Sequence, residues 1–234
     1  MSIFRGLTVY EDDVFRSAAM NMAVDEALLE RAAEPSIRFY RWNSPALSFG
    51  YFGRFAEVAR YNRERDLVRR WTGGNIVLHG DDLTYSIVIP AGDPAFAGPS
   101  MSIYEKIHCF LSDALIASGV QTELSTVAAV CDGRSHEDSG LTEHRSSYCF
   151  ANSVRADVLL NGNKIAGAAQ RRTRRGLLQQ GSIQNVTISN DFPERFAHEL
   201  GEIIKHMDLD AALLARAYDI AEQKYATRTW LERR

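Results

Sequence analysis

The stretch from Arg69 to Ser86 reads RRWTGGNIVLHGDDLTYS, and the rest of the chain is organised around it. An apolar run, Ile76–Leu78, leads to His79 and a polar turn, and a second apolar run, Leu83–Pro90, follows. This pattern predicts a β-hairpin. Without a Cβ, Gly73–Gly74 lets backbone N–H groups approach a ligand closely, and a histidine at a strand end is placed to act on that ligand. A plain glycine turn with a surface histidine is the alternative.

Composition and charge limit the classes of function. The 234 residues are 45% apolar and 24% charged, with a formal net charge of −3, as in ordinary globular domains. The mild acidity argues against a nucleic-acid partner. No apolar run approaches the ~20 residues of a membrane span, and the N-terminus lacks a signal-peptide core, so we expect no membrane partner and a cytoplasmic location. Three cysteines, an odd number, favour reduced thiols.

Two further motifs accompany the central stretch in sequence order. Upstream lies NMAVDEAL at 21–28, and downstream lies NGNKIAGAAQ at 161–170, closed by GSI at 181–183. Together the three motifs resemble the biotin/lipoate protein ligase superfamily, and within it the lipoate–protein ligases and their octanoyltransferase relatives. This resemblance implies an α+β fold with a mixed β-sheet flanked by helices, of the biotin/lipoate ligase catalytic-domain (class II synthetase-like) type.

Local patterns predict the elements of such a domain. Residues 1–10 alternate weakly, as in an edge strand, and residues 15–33 have helical periodicity, with Asp25 and Glu26 expected on its solvated face. Further strands are predicted over 36–42, 46–52, 155–160, 164–170 and 177–188, and helices over 55–65 and 102–119. A capping box, Ser102-x-x-Glu105, opens the last of these helices, and Asn161–Gly162 predicts a type I′ turn.

The C-terminal part, residues 192–234, is predicted to form two helices. The apolar stripe of the first runs through Phe196, Leu200, Ile203 and Ile204. There are no internal repeats or low-complexity linkers, so the pattern predicts a single domain over 1–234. We therefore expect no separate C-terminal accessory domain of the kind that the resembling ligases carry.

Cys149 and Lys164 are the candidate catalytic pair. Cys149 stands in SSYCF at 146–150, ahead of the strand that leads to Lys164. A nearby ammonium lowers the pKa of a thiol from ~8.5 and so favours the nucleophilic thiolate. Such a thiolate takes an acyl group from one carrier and passes it to an amine on another. From position alone, a cysteine that only fills buried space is the commoner case.

The resemblance implies roles for individual residues. In the octanoyltransferases, a cysteine in a Ser-x-Cys-Phe context, paired with the lysine matching Lys164, carries the acyl group. In the ATP-dependent ligases the same lysine faces the substrate carboxylate and then the adenylate phosphate. Trp42 and Phe49 are candidates for contact with the acyl chain, with plain core packing as the alternative. The substrate-binding residues implied by the resemblance are Arg70, Gly73, Gly74, His79, Tyr51, Gly167 and Ala168.

Three positions depart from the pattern of the ligases and leave the substrate open. Asn75 replaces the third glycine of the loop, and Gln180 replaces the histidine often found before Gly-Ser-Ile. Gly80 replaces the acidic residue that usually follows the histidine, and either Asp81 or Asp82 is expected to take its place.

Two other groups of residues suggest alternative chemistry. Cys131, His136 and His144 could form a zinc site with Cys149, but no C-x₂-C knuckle is present, so no metal is predicted. The basic run at 171–176 resembles a nucleic-acid patch. At a hairpin tip, such a run is more often a solvated loop or a docking surface for an acidic protein.

We therefore predict an acyltransferase that attaches an octanoyl or lipoyl group to the lysine of a lipoyl domain through a thioester on Cys149. Its donor would be an acyl carrier protein or a lipoylated protein, and it would need no cofactor. One alternative is an ATP-dependent lipoate–protein ligase, which uses ATP and Mg and works with or without a separate accessory subunit. The other is a non-catalytic lipoate-binding protein, against which the presence of both Cys149 and Lys164 argues.

Overall fold

The computed structural model describes residues 2–126 and 153–233. The strands are β1 (Phe4–Arg16), β2 (Ser36–Trp42), β3 (Ala46–Phe49), β4 (Asp66–Arg69), β5 (Val77–His79), β6 (Leu83–Pro90), β7 (Glu123–Leu124), β8 (Val158–Leu160), β9 (Asn163–Arg172), β10 (Gly176–Ile183) and β11 (Gly201–His206). The helices are α1 (Ala18–Arg31), α2 (Phe55–Val58), α3 (Ser100–Ala117), α4 (Phe192–Leu200), α5 (Ala211–Ile220) and α6 (Arg228–Leu231). No helix within these ranges has both the length and the apolar character needed to cross a membrane.

The described strands form two sheets. The larger sheet has eight strands in the order β11-β1-β2-β6-β10-β9-β8-β7. β1 pairs in parallel with β11 and β2, whereas the pairs from β2 through β6, β10, β9 and β8 to β7 are antiparallel. The smaller sheet has the order β4-β3-β5. The prediction of an α+β fold with a mixed sheet flanked by helices is confirmed.

Strand β6 shows why the large sheet is covered on both faces. All of its residues are buried. Tyr85, Ile87 and Ile89 contribute to the core that includes α3 and α4, whereas Val88 belongs to the core formed with α1 and α5. Successive side chains of a strand point to opposite faces, so Thr84 lies on the same face as Val88. The α1 face therefore changes along β6 from apolar to polar, and the candidate site lies at its polar end.

The predictions for the two ends of the chain were partly wrong. β1 extends to Arg16 and lies inside the sheet, because β11 covers its outer edge. Ile203 and Ile204, predicted on a helix, lie on β11, where Phe4 pairs with Gly201. The helical stripe continues through these isoleucines, but the backbone becomes extended at Gly201, where parallel pairing with β1 begins.

Two predicted turn and cap motifs had different outcomes. Asn161 and Gly162 have φ values of 51° and 75°, and this pair of positive angles confirms the type I′ turn between β8 and β9. The capping box at Ser102 was wrong. Helix α3 begins at Ser100 after Pro99, and no side chain caps it, so Ser102 already lies inside the first turn.

Candidate active site

A pocket lies on the α1 face of the large sheet, below the loop that precedes β5. Residues of α1, β2, β3, β5, β6, β9 and β10 line it, together with Arg70 and Gly74 of the loop before β5. Apolar or small residues form much of its wall: Met22, Trp42, Val77, Ala168, Ala169 and Gly181. Arg70, His79, Thr84, Gln180 and Ser182 supply polar atoms. Such a mixture suits an aliphatic chain with a polar group.

Small residues on paired strands leave room for this pocket. Within the β9–β10 pair, Gly167 is opposite Ser182, and Ala168 is opposite Gly181. Gly167, Ser182 and Thr84 lie side by side on three strands and face the pocket, so a larger side chain at Gly167 would reduce the space there. A Cβ on Gly181 would instead overlap the ring of Tyr85 on the opposite face of the sheet, so this glycine lets β10 pack against that ring.

The diglycine loop forms the roof of the pocket at Gly74, which has a φ of +85° that favours glycine. A Cβ on Gly50 would overlap the carbonyl groups of Gly73 and Gly74, so a glycine at position 50 lets the loop pack closely. From the pocket side of the loop, the Nη2 of Arg70 donates to the carbonyl oxygens of Gly73 (3.0 Å) and Asn75 (2.8 Å). Arg70 thus fixes the loop while lining the pocket.

His79 is held at one end of the pocket by a chain of hydrogen bonds. Its Nδ1 lies 2.8 Å from Oδ2 of Asp82, and its Nε2 lies 2.6 Å from the hydroxyl of Ser48. A carboxylate only accepts, so Nδ1 donates to Asp82, and Nε2 accepts from Ser48. The Ser48 oxygen in turn accepts from Nη1 of Arg70 at 2.7 Å. The ring also stacks on Trp42 at a centroid distance of 4.0 Å.

Burial keeps this imidazole neutral and its partner charged. Desolvation lowers the pKa of His79 below its usual value, although Asp82 favours the protonated ring. Burial alone would raise the pKa of Asp82, but hydrogen bonds from His79, Ser182 and the Gly80 N–H lower it to about 2. Of the two aspartates expected to replace the acidic residue after the histidine, Asp82 is the one that contacts His79.

Lys164 approaches the pocket from β9. Its Nζ lies 2.7 Å from Oδ2 of Asp157, and both side chains are buried. A Cβ on Gly167 would overlap the end of the Lys164 side chain, so the ammonium lies directly over this glycine, which lines the pocket. Lys164 is not itself among the lining residues, and its tip adjoins the pocket through this contact with Gly167 in the wall.

Residues that sequence reasoning missed support this lysine. The hydroxyl of Tyr104 donates to Oδ1 of Asp157 at 2.6 Å and accepts from the N–H of Ala168 at 3.2 Å. Burial, reinforced by the charge of Asp157, raises the pKa of Tyr104. One turn along α3, the Nδ1 of His108 lies 2.7 Å from the carbonyl oxygen of Ala156. Tyr104 and His108 are four residues apart on the buried stripe of α3, and this spacing was the available signal.

The expectation that Asp25 lies on a solvated face of the helix was wrong, because Asp25 is completely buried. Its carboxylate accepts from Arg38 Nη1 (2.8 Å), Ser86 Oγ (2.7 Å), Gln180 Nε2 (2.7 Å) and the Tyr40 hydroxyl (3.1 Å). Arg38, also fully buried, supplies the compensating charge. Through Gln180, this network fixes part of the pocket wall.

Most of the predicted substrate-binding residues meet at this pocket. Arg70, Gly74, His79, Gly167 and Ala168 line it, as does Trp42. Gly73, Tyr51 and Phe49 are not among the lining residues, and Phe49 instead packs in the core of the small sheet. Cys149 and the other residues of the zinc alternative, Cys131, His136 and His144, lie outside the described residues.

One group of side chains in the described ranges could hold a metal ion. Ligand atoms of Glu11, Glu194 and His206 lie within 4.8 Å of one another. Glu194 already pairs with His206 (3.2 Å) and with His198 (2.8 Å), which accounts for the arrangement without an ion. None of these residues lines the pocket.

Comparisons with known proteins agree with this architecture. The family described as the lipoyl protein ligase A/B catalytic domain matches residues 17–203. The octanoyltransferase LipM of Oceanobacillus iheyensis is 38% identical over 221 residues, covering 90% of this chain and 77% of its own length. The octanoyltransferase LipM of Brevibacillus brevis is 35% identical over 175 residues, covering 71% of this chain, which spans only 62% of that relative.

A solved structure shows the same fold. The structure of the protein Ta0514 of Thermoplasma acidophilum with bound lipoic acid superposes with a TM-score of 0.72. The match covers 99% of this chain and 100% of the other, at 20% sequence identity. At that identity the similarity establishes the fold alone.

Proposed function

This chain belongs to the lipoyl protein ligase A/B catalytic-domain family, and from this premise we propose that it transfers an octanoyl group to the lysine of a lipoyl domain. The observation that carries the proposal is the pocket of small and apolar residues with the ammonium of Lys164 fixed at its wall. The names of the curated relatives support octanoyl over lipoyl as the transferred group.

We assign the nucleophile to Cys149. Its thiolate attacks the carbonyl carbon of the donor thioester, the C–S bond to the donor breaks, and the donor leaves as a thiol after taking up a proton. The neutral amine of the acceptor lysine then attacks the new thioester, the Cys149 thiolate leaves, and the nitrogen releases a proton to water as the amide forms. Both steps exchange one acyl bond for another, so the reaction needs no ATP, metal or redox cofactor.

Lys164 has an electrostatic part in both steps. An ammonium favours the thiolate over the thiol and stabilises the negative charge that develops on the carbonyl oxygen. Asp157 and Tyr104 hold the lysine head in one position and are therefore positioning residues. Because this charge is already in place, the site needs little reorganisation when the oxyanion forms. Such preorganisation is the usual source of oxyanion stabilisation in enzymes.

The donor and the acceptor follow from this chemistry. The donor is an octanoyl thioester on an acyl carrier protein, and the alternative donor is a lipoylated protein. The acceptor is a lipoyl domain that presents a lysine amine. Apolar walls beside Met22 and Val77 suit an aliphatic chain of this kind.

The test is a transfer assay with octanoyl acyl carrier protein and an unmodified lipoyl domain, read by the mass of the domain. We expect one octanoyl group per domain without ATP, and a loss of at least ~100-fold in rate for Lys164→Ala. Lys205→Ala is the matched control, because Lys205 is an exposed lysine that pairs with Glu34. Modification that requires ATP and free acid would instead identify a ligase, and binding without modification would identify a binding protein.

A further inference from the structure

Three basic and three aromatic side chains alternate beside the diglycine loop. We call them the cation–aromatic cluster: Tyr51, Trp71, Arg171, Lys224, Trp230 and Arg233. None of them lines the pocket, yet the cluster adjoins it. Trp71 directly follows Arg70, and Arg171 lies two residues beyond Ala169 on β9, while Arg70 and Ala169 both line the pocket.

Each aromatic ring of the cluster is shared by two cations. The Cζ of Arg171 lies 5.0 Å from the centroid of Tyr51 and 5.3 Å from that of Trp71. The Nζ of Lys224 lies 4.3 Å from Trp71 and 4.4 Å from Trp230. These contacts bring positive charges from β9 and the C-terminal segment to one place.

The third cation completes this arrangement. The Cζ of Arg233 lies 4.9 Å from the centroid of Tyr51 and 5.4 Å from that of Trp230. The rings of Tyr51 and Trp230 also contact each other at a centroid distance of 5.8 Å. The three cations are therefore arranged around a continuous aromatic surface.

The buried side chain of Arg69 holds this arrangement in place. Its guanidinium donates to carbonyl oxygens of the 230–233 segment and of the Tyr51–Gly53 turn. In return, the indole Nε1 of Trp230 donates to the Arg69 carbonyl at 2.9 Å. Arg69 therefore fixes the C-terminal segment beside the loop, so the cluster is built by the fold.

Positive charge exceeds negative charge at this cluster. Glu26, expected on a solvated helix face, is largely buried and pairs with Lys224 at 2.6 Å. Neither Arg171 nor Arg233 pairs with a carboxylate within residues 2–126 and 153–233. Burial lowers the pKa of Lys224, Glu26 opposes this effect, and the charge of Arg171 lowers the pKa further. A bound anion would relieve this repulsion between Arg171 and Lys224.

A separate observation at Arg171 points to a missing acceptor. Its Nε is buried and has no hydrogen-bond partner in the described part of the chain. Buried N–H groups are normally satisfied, and a donor of this kind is an exception that requires an explanation. An oxygen of a bound anion would supply the acceptor.

We propose that the cation–aromatic cluster binds the phosphate of the phosphopantetheine arm on which the donor presents its acyl thioester, an inference that rests on the proposed function. On the carrier this phosphate is a diester with one negative charge and two non-bridging oxygens, and these two oxygens can accept hydrogen bonds from two guanidinium groups at once. The arm then runs from the cluster towards the lysine, with its thioester at the pocket.

The spacing along β9 is consistent with this arrangement. The Lys164 head lies over Gly167, and Arg171 follows four residues later on the same face of the strand. At about 3.3 Å per residue, these points are ~13 Å apart. The pantetheine chain between thiol and phosphate is long enough to cover this distance.

The experiment measures binding of the unacylated arm, so it does not depend on transfer. Phosphopantetheine as its methyl diester, which carries the single charge of the arm on the carrier, and pantetheine are titrated separately into the full chain, with tryptophan fluorescence as the signal and calorimetry as a second readout. We expect phosphopantetheine to bind at least ~10-fold more tightly, with the difference falling as salt is added. Arg171→Gln should abolish the preference, Arg171→Lys should retain part of it, and thermal melts verify folding.

Arg195→Gln is the matched control, because Arg195 is an exposed arginine on α4 paired with Asp191, and it should leave binding unchanged. Equal affinity for the two compounds would overturn the proposal. A second result would also overturn it: an Arg171→Gln variant that binds phosphopantetheine normally but transfers more slowly from acyl carrier protein. That result would indicate that the cluster contacts acidic side chains of the carrier instead of the phosphate. Failure of transfer together with intact phosphate-dependent binding would refute the proposed function and support the phosphate site.

Discussion

Lys164 and Asp157 form a buried ion pair, with Nζ 2.7 Å from Oδ2. The carboxylate of Asp157 is also fixed by the hydroxyl of Tyr104 and by the N–H of Val154, each 2.6 Å away. Removing two charges from water offsets most of their attraction, so such a pair contributes more to geometry than to stability. Its role is to hold one ammonium at the pocket wall.

This relationship predicts strong coupling between the two residues. Asp157→Asn leaves a buried ammonium without its counter-charge, and Lys164→Met leaves a buried carboxylate, so each should lower the free energy of unfolding by about 3–5 kcal/mol. The double variant should lose much less than the sum, because no unpaired charge remains. Denaturant unfolding of the four proteins measures the coupling. Additive losses would show that the pair is not coupled in solution.

Gly167 should be intolerant of even one methyl group. In Gly167→Ala the new Cβ would overlap the end of Lys164, and the displaced ammonium should reduce the transfer rate by at least ~10-fold, since small misplacements of a catalytic group have large effects. Gly92→Ala is the control, because a Cβ there meets no atom within 4 Å. Initial rates of octanoyl transfer provide the measurement. Equal rates in the two variants would contradict the position given to Lys164.

His108 should make the fold sensitive to acid. Burial lowers its pKa to about 4 against the hydrogen bond to Ala156, whereas an exposed histidine has a pKa of ~6.5. As the pH falls below 6.5, the unfolded chain takes up a proton that the folded chain does not, so stability present at neutral pH is lost. The loss between pH 7 and pH 4.5 should be roughly 2–3 kcal/mol.

The control for this prediction is His108→Asn, whose amide can still donate to the Ala156 carbonyl but does not titrate. Denaturant unfolding at the two pH values gives the change in unfolding free energy for each protein, and the difference between proteins isolates His108. A wild-type chain and a His108→Asn variant that lose the same stability on acidification would refute the assignment.

Sequence patterns predicted what depends on local chemistry. The glycine loop, the strand that ends in His79 and the small residues of β9 each have a signature within a few residues, and Gly74, His79 and Gly167 meet at the pocket. The mixed sheet followed from the resemblance. These features require no knowledge of distant partners.

Features that depend on distant partners were not predictable in this way. In the sequence, Asp25 resembles a solvated helix carboxylate. Its burial is understood only from its ion pair with Arg38, which lies on the distant strand β2. Asp157 has no motif of its own, and only the pairing of β8 with β9 reveals that it holds Lys164. Ile203 follows the helical stripe of α4, and only the free edge of β1 explains why it is in a strand.

The central claim is that the acyl group passes through Cys149, and the most direct test is the intact mass of the protein after incubation with octanoyl acyl carrier protein, with no acceptor present. We predict one octanoyl group, located on Cys149 by peptide mapping and lost when the lipoyl domain is added. Cys109→Ala, which removes an exposed cysteine of α3, should keep the adduct, and Cys149→Ala should lose both adduct and transfer. A wild-type protein without the adduct, together with full transfer activity in Cys149→Ala, would contradict the account.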